Sequence, residues 1–220
     1  MNKNLTELVF ILDRSGSMAG LEKDTIGGFN SMLKKQRTEE GEVLVSTVLF
    51  DTQCEVIHDR MSIADVPNLT RNEYWARGCT ALLDAIGGAI HHIALVHKYA
   101  RKEDVPARTL FDLTTDGMEN ASQRYTSKEV KAMIEKEKSK YGWEFLFLGA
   151  NIDAVETAAH YGIDADHAAN FHADRRGMAV NYEAVEATIA AVRRCQPVAK
   201  SWKDGIDADY QARRAPIGRR

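Results

Sequence analysis

Five oxygen-bearing side chains are placed where chemistry could be done. Asp13, Ser15 and Ser17 lie in the string DRSGS, directly after an apolar run. Thr80 lies in GCTAL, just before a long amphipathic segment, and Asp116 closes TTDG after another apolar run. Two carboxylates and three hydroxyls are hard donors, the kind that Mg2+ or Mn2+ selects in octahedral geometry, with Ca2+ also admissible. These strings contain no histidine and only one thiol, Cys79, so zinc is a poor match. In an extended turn, residues two apart project to the same side, which puts Asp13, Ser15 and Ser17 on one face.

Such strings act together only if a scaffold gathers them. Residues 5–12 read as a buried strand and 21–36 as a helix with Ile26, Phe29, Met32 and Leu33 on one stripe. Runs 43–50 and 54–57, separated by DTQ, predict a hairpin whose second arm is an antiparallel edge. Helical periodicity covers 81–99, with Thr80 as its expected N-cap, and a strand follows at 109–115. Helices at 127–140, 153–161 and 182–194 then alternate with strands at 143–148 and 168–171.

This order predicts an α/β, doubly wound, Rossmann-like architecture: a mostly parallel sheet with one antiparallel edge strand and helices on both faces. Ligands of such sheets bind beyond the carboxyl ends of the strands, where all three strings fall. Arg14, Gly117 and Asn151 lie at or beside those ends and are candidate ligand contacts. Residues 5–196 form one domain in this reading. Residues 197–220 form a polar tail, basic at its end through Arg213, Arg214, Arg219 and Arg220, with Trp202 able to pack.

A net charge of -3 across 220 residues supplies no field to gather a polyanion, so nucleic acid is not an expected partner. Neither GxGxxG nor GxxxxGK[ST] follows a strand, so no dinucleotide is expected. Cys54, Cys79 and Cys195 are odd in number and widely spaced, which argues against a disulfide framework, and Cys79 reads as a small buried residue. The first apolar run is too short for a membrane span or a signal segment. A cytoplasmic protein without a membrane partner is the expectation.

DRSGS, GCTAL and TTDG together resemble the metal-ion-dependent adhesion site (MIDAS) of von Willebrand factor A domains, in the family's order and over about residues 5–196. The resemblance implies that Ser15 and Ser17 ligate the ion directly and Thr80 directly or through water. Asp13 and Asp116 would act largely through bound waters, and one position would be left for an Asp or Glu of a protein partner. FLGANIDA at 147–154, the Asn170 region and the helix after Gly177 are similar to bacterial stand-alone A domains, some from tellurite-resistance-like gene groups. The inserted helix and flanking cysteines of matrix and integrin A domains are not seen, so matrix binding is not implied.

A second reading makes Asp13 similar to the nucleophilic aspartate of haloacid-dehalogenase-like phosphatases, which also use Mg2+. Those enzymes place a second aspartate two residues on as general acid. Here that position is Ser15, whose hydroxyl cannot serve as an acid near neutral pH. The expectation is therefore a binding module and not an enzyme.

Overall fold

A computed structural model describes residues 1–213; Arg214, Arg219 and Arg220 of the expected basic patch lie outside the described residues. Its elements in chain order are β1 (Asn2–Asp13), α1 (Glu22–Gln36), β2 (Glu42–Phe50), β3 (Cys54–Ser62), α2 (Leu82–Tyr99) and β4 (Pro106–Thr115). There follow α3 (Ser127–Tyr141), β5 (Glu144–Ala150), α4 (Ala154–His160), β6 (Ala168–Phe171), α5 (Arg175–Arg193) and α6 (Asp204–Arg213).

The six strands lie in the order β3-β2-β1-β4-β5-β6. All neighbours are parallel except β2 and β3, so the hairpin after DTQ does supply the antiparallel edge. β1 shows why the sheet needs helices on both faces. Leu8, Phe10 and Leu12 pack into one apolar layer while Val9 and Ile11 pack into the other, and all five are buried. A central parallel strand covered on both sides is apolar at successive positions, as this one is. The first layer is completed by α1, α5 and Ile206 of α6, and the second by α2, α3 and α4.

Three elements differ from expectation for local reasons. β3 runs on to Ser62 because a register shift, with Arg60 at φ 48°, lets the charged stretch HDR continue the edge. α5 starts at Arg175, seven residues before the apolar stripe becomes visible. Its first turn is set by the Asp174 carboxylate, which accepts from the Gly177 amide at 2.8 Å.

The polar segment after Pro197 is helical at Lys200–Lys203 and again in α6. Ile206 is buried against the first layer, the Trp202 indole donates to the Asp166 carbonyl at 2.7 Å, and Arg213 pairs with Asp174 and Asp209. Among the described residues no helix is long and apolar enough to cross a membrane.

Candidate metal centre

Register brings two of the three strings together. β1 and β4 are adjacent and parallel, with Leu12 opposite Thr114, so DRSGS and TTDG leave the sheet side by side. The contact is direct: Thr115 Oγ1 donates to Asp13 Oδ2 at 2.6 Å. The other Asp13 oxygen, Oδ1, accepts from the Ser15 amide at 2.6 Å, and Ser15 Oγ lies 2.9 Å from Ser17 Oγ. The shared face expected for the three DRSGS residues is thus built around one buried carboxylate.

The third string arrives over the top. The Gly16 amide donates to the Gly78 carbonyl at 3.1 Å, the Arg77 amide to the Arg14 carbonyl at 2.8 Å, and the Tyr74 hydroxyl to the Asp13 carbonyl. This loop lays Thr80 beside Gly117. A Cβ on Gly117 would stand 3.3 Å from both Ser17 Oγ and Thr80 Oγ1, so glycine lets the backbone approach both hydroxyls. Asp13, Ser15, Ser17, Thr80 and Asp116 therefore converge at the carboxyl ends of β1 and β4.

Thr80 does not cap α2, contrary to expectation. Its amide donates to Asn120 Oδ1 at 2.9 Å, and its carbonyl accepts from the Asn120 and Ala121 amides. The first turn of α2 is served from across the chain. Glu119 accepts from the Leu83 amide at 2.8 Å and Ser122 Oγ from the Asp84 amide at 3.0 Å. The Thr80 hydroxyl is thereby released from capping.

The electrostatics are those of carboxylates short of a positive partner. Burial pushes Asp13 above the usual carboxylate range, against the pull of donors from Thr115 and Ser15. Burial raises Asp116 as well; a hydrogen bond from Ser17 opposes the rise and the Asp13 charge adds to it. Asp116 Oδ1 is buried and has no hydrogen-bond partner among the described residues. A buried oxygen in that state costs free energy unless something satisfies it.

Of the three candidate ligand contacts, Gly117 faces the hydroxyls as described, and Asn151 stands exposed after β5 with Nδ2 3.5 Å from the Asp116 carbonyl. Arg14 does not join them. Its side chain is 1% exposed, with Nε on Asp51 at 2.9 Å, a second nitrogen on Glu55 at 2.8 Å and a third on the Glu73 carbonyl at 3.0 Å. Burial pushes Asp51 up, but hydrogen bonds from Arg77, the Gln53 amide and Arg14 outweigh it and hold the carboxyl below its usual range. Arg14 is thus a strut beneath the loop and is withdrawn as a ligand contact.

Cys79 is exposed rather than buried; its amide is tied to Thr52 Oγ1 at 2.9 Å, and it is the next residue, Thr80, that is buried. Thr115, Tyr74 and Glu119 shape the site and were not singled out from the sequence. Thr115 had a signal, since it directly precedes Asp116 in TTDG.

No family model and no curated protein matches this chain. Solved structures do. The von Willebrand factor domain of the type V pili tip protein Mfa5 from Porphyromonas gingivalis has a TM-score of 0.60 at 12% identity, over 88% of this chain and 98% of that one. Proximal thread matrix protein 1 from the mussel byssus, with a zinc-occupied MIDAS motif, gives 0.57 at 14% identity, over 84% of this chain and 46% of that one. A von Willebrand factor type A protein from Catenulispora acidiphila gives 0.55 at 16%, over 84% and 42%. This chain spans less than half the length of the last two. At such identities the likeness is one of architecture, and the architecture is that of a von Willebrand factor A domain.

Proposed function

We propose that this chain is a metal-dependent protein-binding module. In this reading Asp13, Ser15, Ser17, Thr80 and Asp116 hold one divalent cation, Mg2+ by donor chemistry with Mn2+ or Ca2+ as substitutes, and the ion takes an Asp or Glu side chain of a protein partner. The observation that carries it is the buried, unpartnered Asp116 Oδ1 beside the Ser17 and Thr80 hydroxyls. A cation there satisfies that oxygen and removes the penalty burial places on both carboxylates.

The ion's chemistry is attraction of a third carboxylate. Two buried carboxylates, one already holding two protein donors, neutralise it incompletely. Gly117 and Asn151 border the approach and are the proposed ligand contacts; the exposed Met118 follows Gly117. A bacterial, cytoplasmic setting belongs to the same reading, supported by three free cysteines.

The phosphatase reading is disfavoured by the same geometry. Both Asp13 oxygens accept short hydrogen bonds from the Ser15 amide and the Thr115 hydroxyl, which draw charge from the carboxylate and weaken it as a nucleophile toward phosphorus.

Calorimetric titration of the protein with Mg2+ and Mn2+, with and without glutarate as carboxylate probe, tests the proposal. Saturable metal binding that glutarate tightens, lost in Asp116→Ala, is the expected result. Unchanged metal binding in Asp116→Ala overturns the ligand set. Phosphomonoester turnover that Asp13→Asn abolishes overturns the functional class.

A further inference from the structure

The opposite end of the sheet contains a cavity of about 780 Å³ that the metal reading does not use. It opens between α2 and α3 where β4 and β5 begin, at Pro106 and Trp143. The 10 residues of β4 at about 3.3 Å each put it about 30 Å from Asp116. Cavities of roughly 300–1,000 Å³ are the size that encloses small organic ligands.

Its floor is apolar and stiff. The Trp143 ring stacks on Phe111 with centroids 5.3 Å apart, and Phe111 stacks on Phe145 at 4.9 Å. Ile90 and Ala94 of α2 and Met133 of α3 form the walls. Tyr125 wedges between the helices; its ring lies so close to Gly87 that a Cβ there would fall 2.5 Å from it. Leu95 and Tyr141 remain 45% and 46% exposed at the mouth. They are two of the few large apolar side chains left in water, and both line this one cavity.

The mouth is cationic. Lys98, Lys102 and Lys136 line it, and the one carboxylate lining it, Glu137, is buried and already paired to Lys136 at 2.8 Å. Of the acids next to Lys102, Asp104 is paired with Arg101 at 2.7 Å, and Glu103, 3.9 Å from the same guanidinium, is largely exposed. His97, also in the lining, is bonded to Glu7, which Arg60 holds from the other side. The result is an apolar chamber beneath Lys98 and Lys102, neither of which is in an ion pair among the described residues.

We infer that this cavity binds a small amphipathic organic anion, with an alkyl or aryl body against Trp143 and Met133 and a carboxylate at Lys98 and Lys102. Apolar burial supplies the affinity and the lysines choose the sign of the head group. The inference is independent of the metal, since it shares no residue with that centre.

Dodecanoate is the probe, with dodecanol and dodecyltrimethylammonium as neutral and cationic counterparts, each titrated below micelle formation into the full chain. The Trp143 indole N–H signal in NMR spectra locates the binding. Expected are saturable shifts at Trp143, with dodecanoate bound roughly tenfold more tightly than the cation.

Ala94→Trp, which fills the chamber, abolishes them. Leu95→Glu guards against misfolding as the explanation, because it alters only an exposed helix position and sets a negative charge at the mouth. It should weaken dodecanoate by more than it weakens dodecanol, since both lose the Leu95 contact but only the anion meets the new charge. Equal affinity for anion and cation, or dodecanoate binding that survives Ala94→Trp, overturns the inference. So does self-association through this face, detected by sedimentation and relieved by Leu95→Glu, without any dodecanoate shift at Trp143.

Discussion

The two layers that sandwich the sheet are built differently although they share every central strand. The layer under α2, α3 and α4 is mostly apolar: Val9, Ile11, Phe111, Leu113, Phe145 and Phe147 meet Leu82, Ile86, Ile90, Val130 and Ile134, and its buried carboxylates are paired, Glu7 with Arg60 and His97 and Glu137 with Lys136. The layer under α1 and α5 contains Phe10, Leu12 and Phe29, but it also buries Asp112, Asn181 and the Tyr182 hydroxyl. Asp112 Oδ1, both Asn181 side-chain polar atoms and Tyr182 Oη have no hydrogen-bond partner among the described residues. The Tyr74 hydroxyl that holds the Asp13 carbonyl lies in the same layer. On one face of the sheet the buried carboxylates are therefore paired, whereas the other carries unsatisfied polar atoms below the DRSGS and TTDG loops.

The largest effect that would sharpen this contrast is Phe111→Ala. Emptying a stacked aromatic from the mostly apolar layer should cost about 3–5 kcal/mol in denaturant unfolding, while Mg2+ affinity per folded molecule stays unchanged. A tenfold loss of metal affinity would show that the layers cannot be separated.

Asp112→Leu probes the polar layer. Burial pushes the Asp112 carboxyl up to about 7 from its ordinary 3.8. Between those values the folded chain holds a proton that the unfolded chain releases, so stability falls as pH rises through the window and levels off above it. The variant should be more stable than the parent by on the order of 3 kcal/mol at pH 8, with the gain shrinking toward pH 4 to what the unpartnered neutral carboxyl alone costs. A gain that does not depend on pH would remove the titration of Asp112 as its cause.

Gly28→Ala comes next. A Cβ on Gly28 of α1 would stand 2.1 Å from the Tyr182 ring of α5, so about 1–3 kcal/mol should be lost, and the same substitution should cost less in a Tyr182→Ala background. The smallest effect lies where the layers meet the site. Gly117→Ala should weaken Mg2+ about tenfold by crowding Ser17 and Thr80, with thermal stability nearly unchanged. Unchanged affinity would mean that the ion does not sit between those hydroxyls.

How much of this could be read from the chain depends on the range of the interaction. The mostly parallel sheet and its antiparallel edge follow from local patterns, and both match the structure. So does the meeting of DRSGS and TTDG, because parallel strands that start at one end must finish together at the other, whereas GCTAL is brought in by loop hydrogen bonds that no local pattern announces. The burial of Arg14 was not legible. It depends on Asp51, 37 residues away, and on a ring, Trp75, contributed by a loop of no regular pattern. The cap on α2 was misassigned for a related reason: Thr80 is a cap type in the right place, but Glu119, 36 residues downstream, reaches the helix instead. α6 stayed hidden because a single buried Ile206 and paired charges leave no stripe to detect.

The stitching of Thr80 to Asn120 and of Leu83 to Glu119 has a mechanical side. A pull on anything grasped at this centre would not act on one loop at a time. Tension entering at Thr80 would pass through three hydrogen bonds into the 116–122 segment and through Glu119 into the first turn of α2, spreading across the long helix. Bonds sheared in parallel give way together rather than in succession. The loops around Thr80 should therefore keep their shape under steady load, leaving the bond to whatever is grasped as the first link to yield.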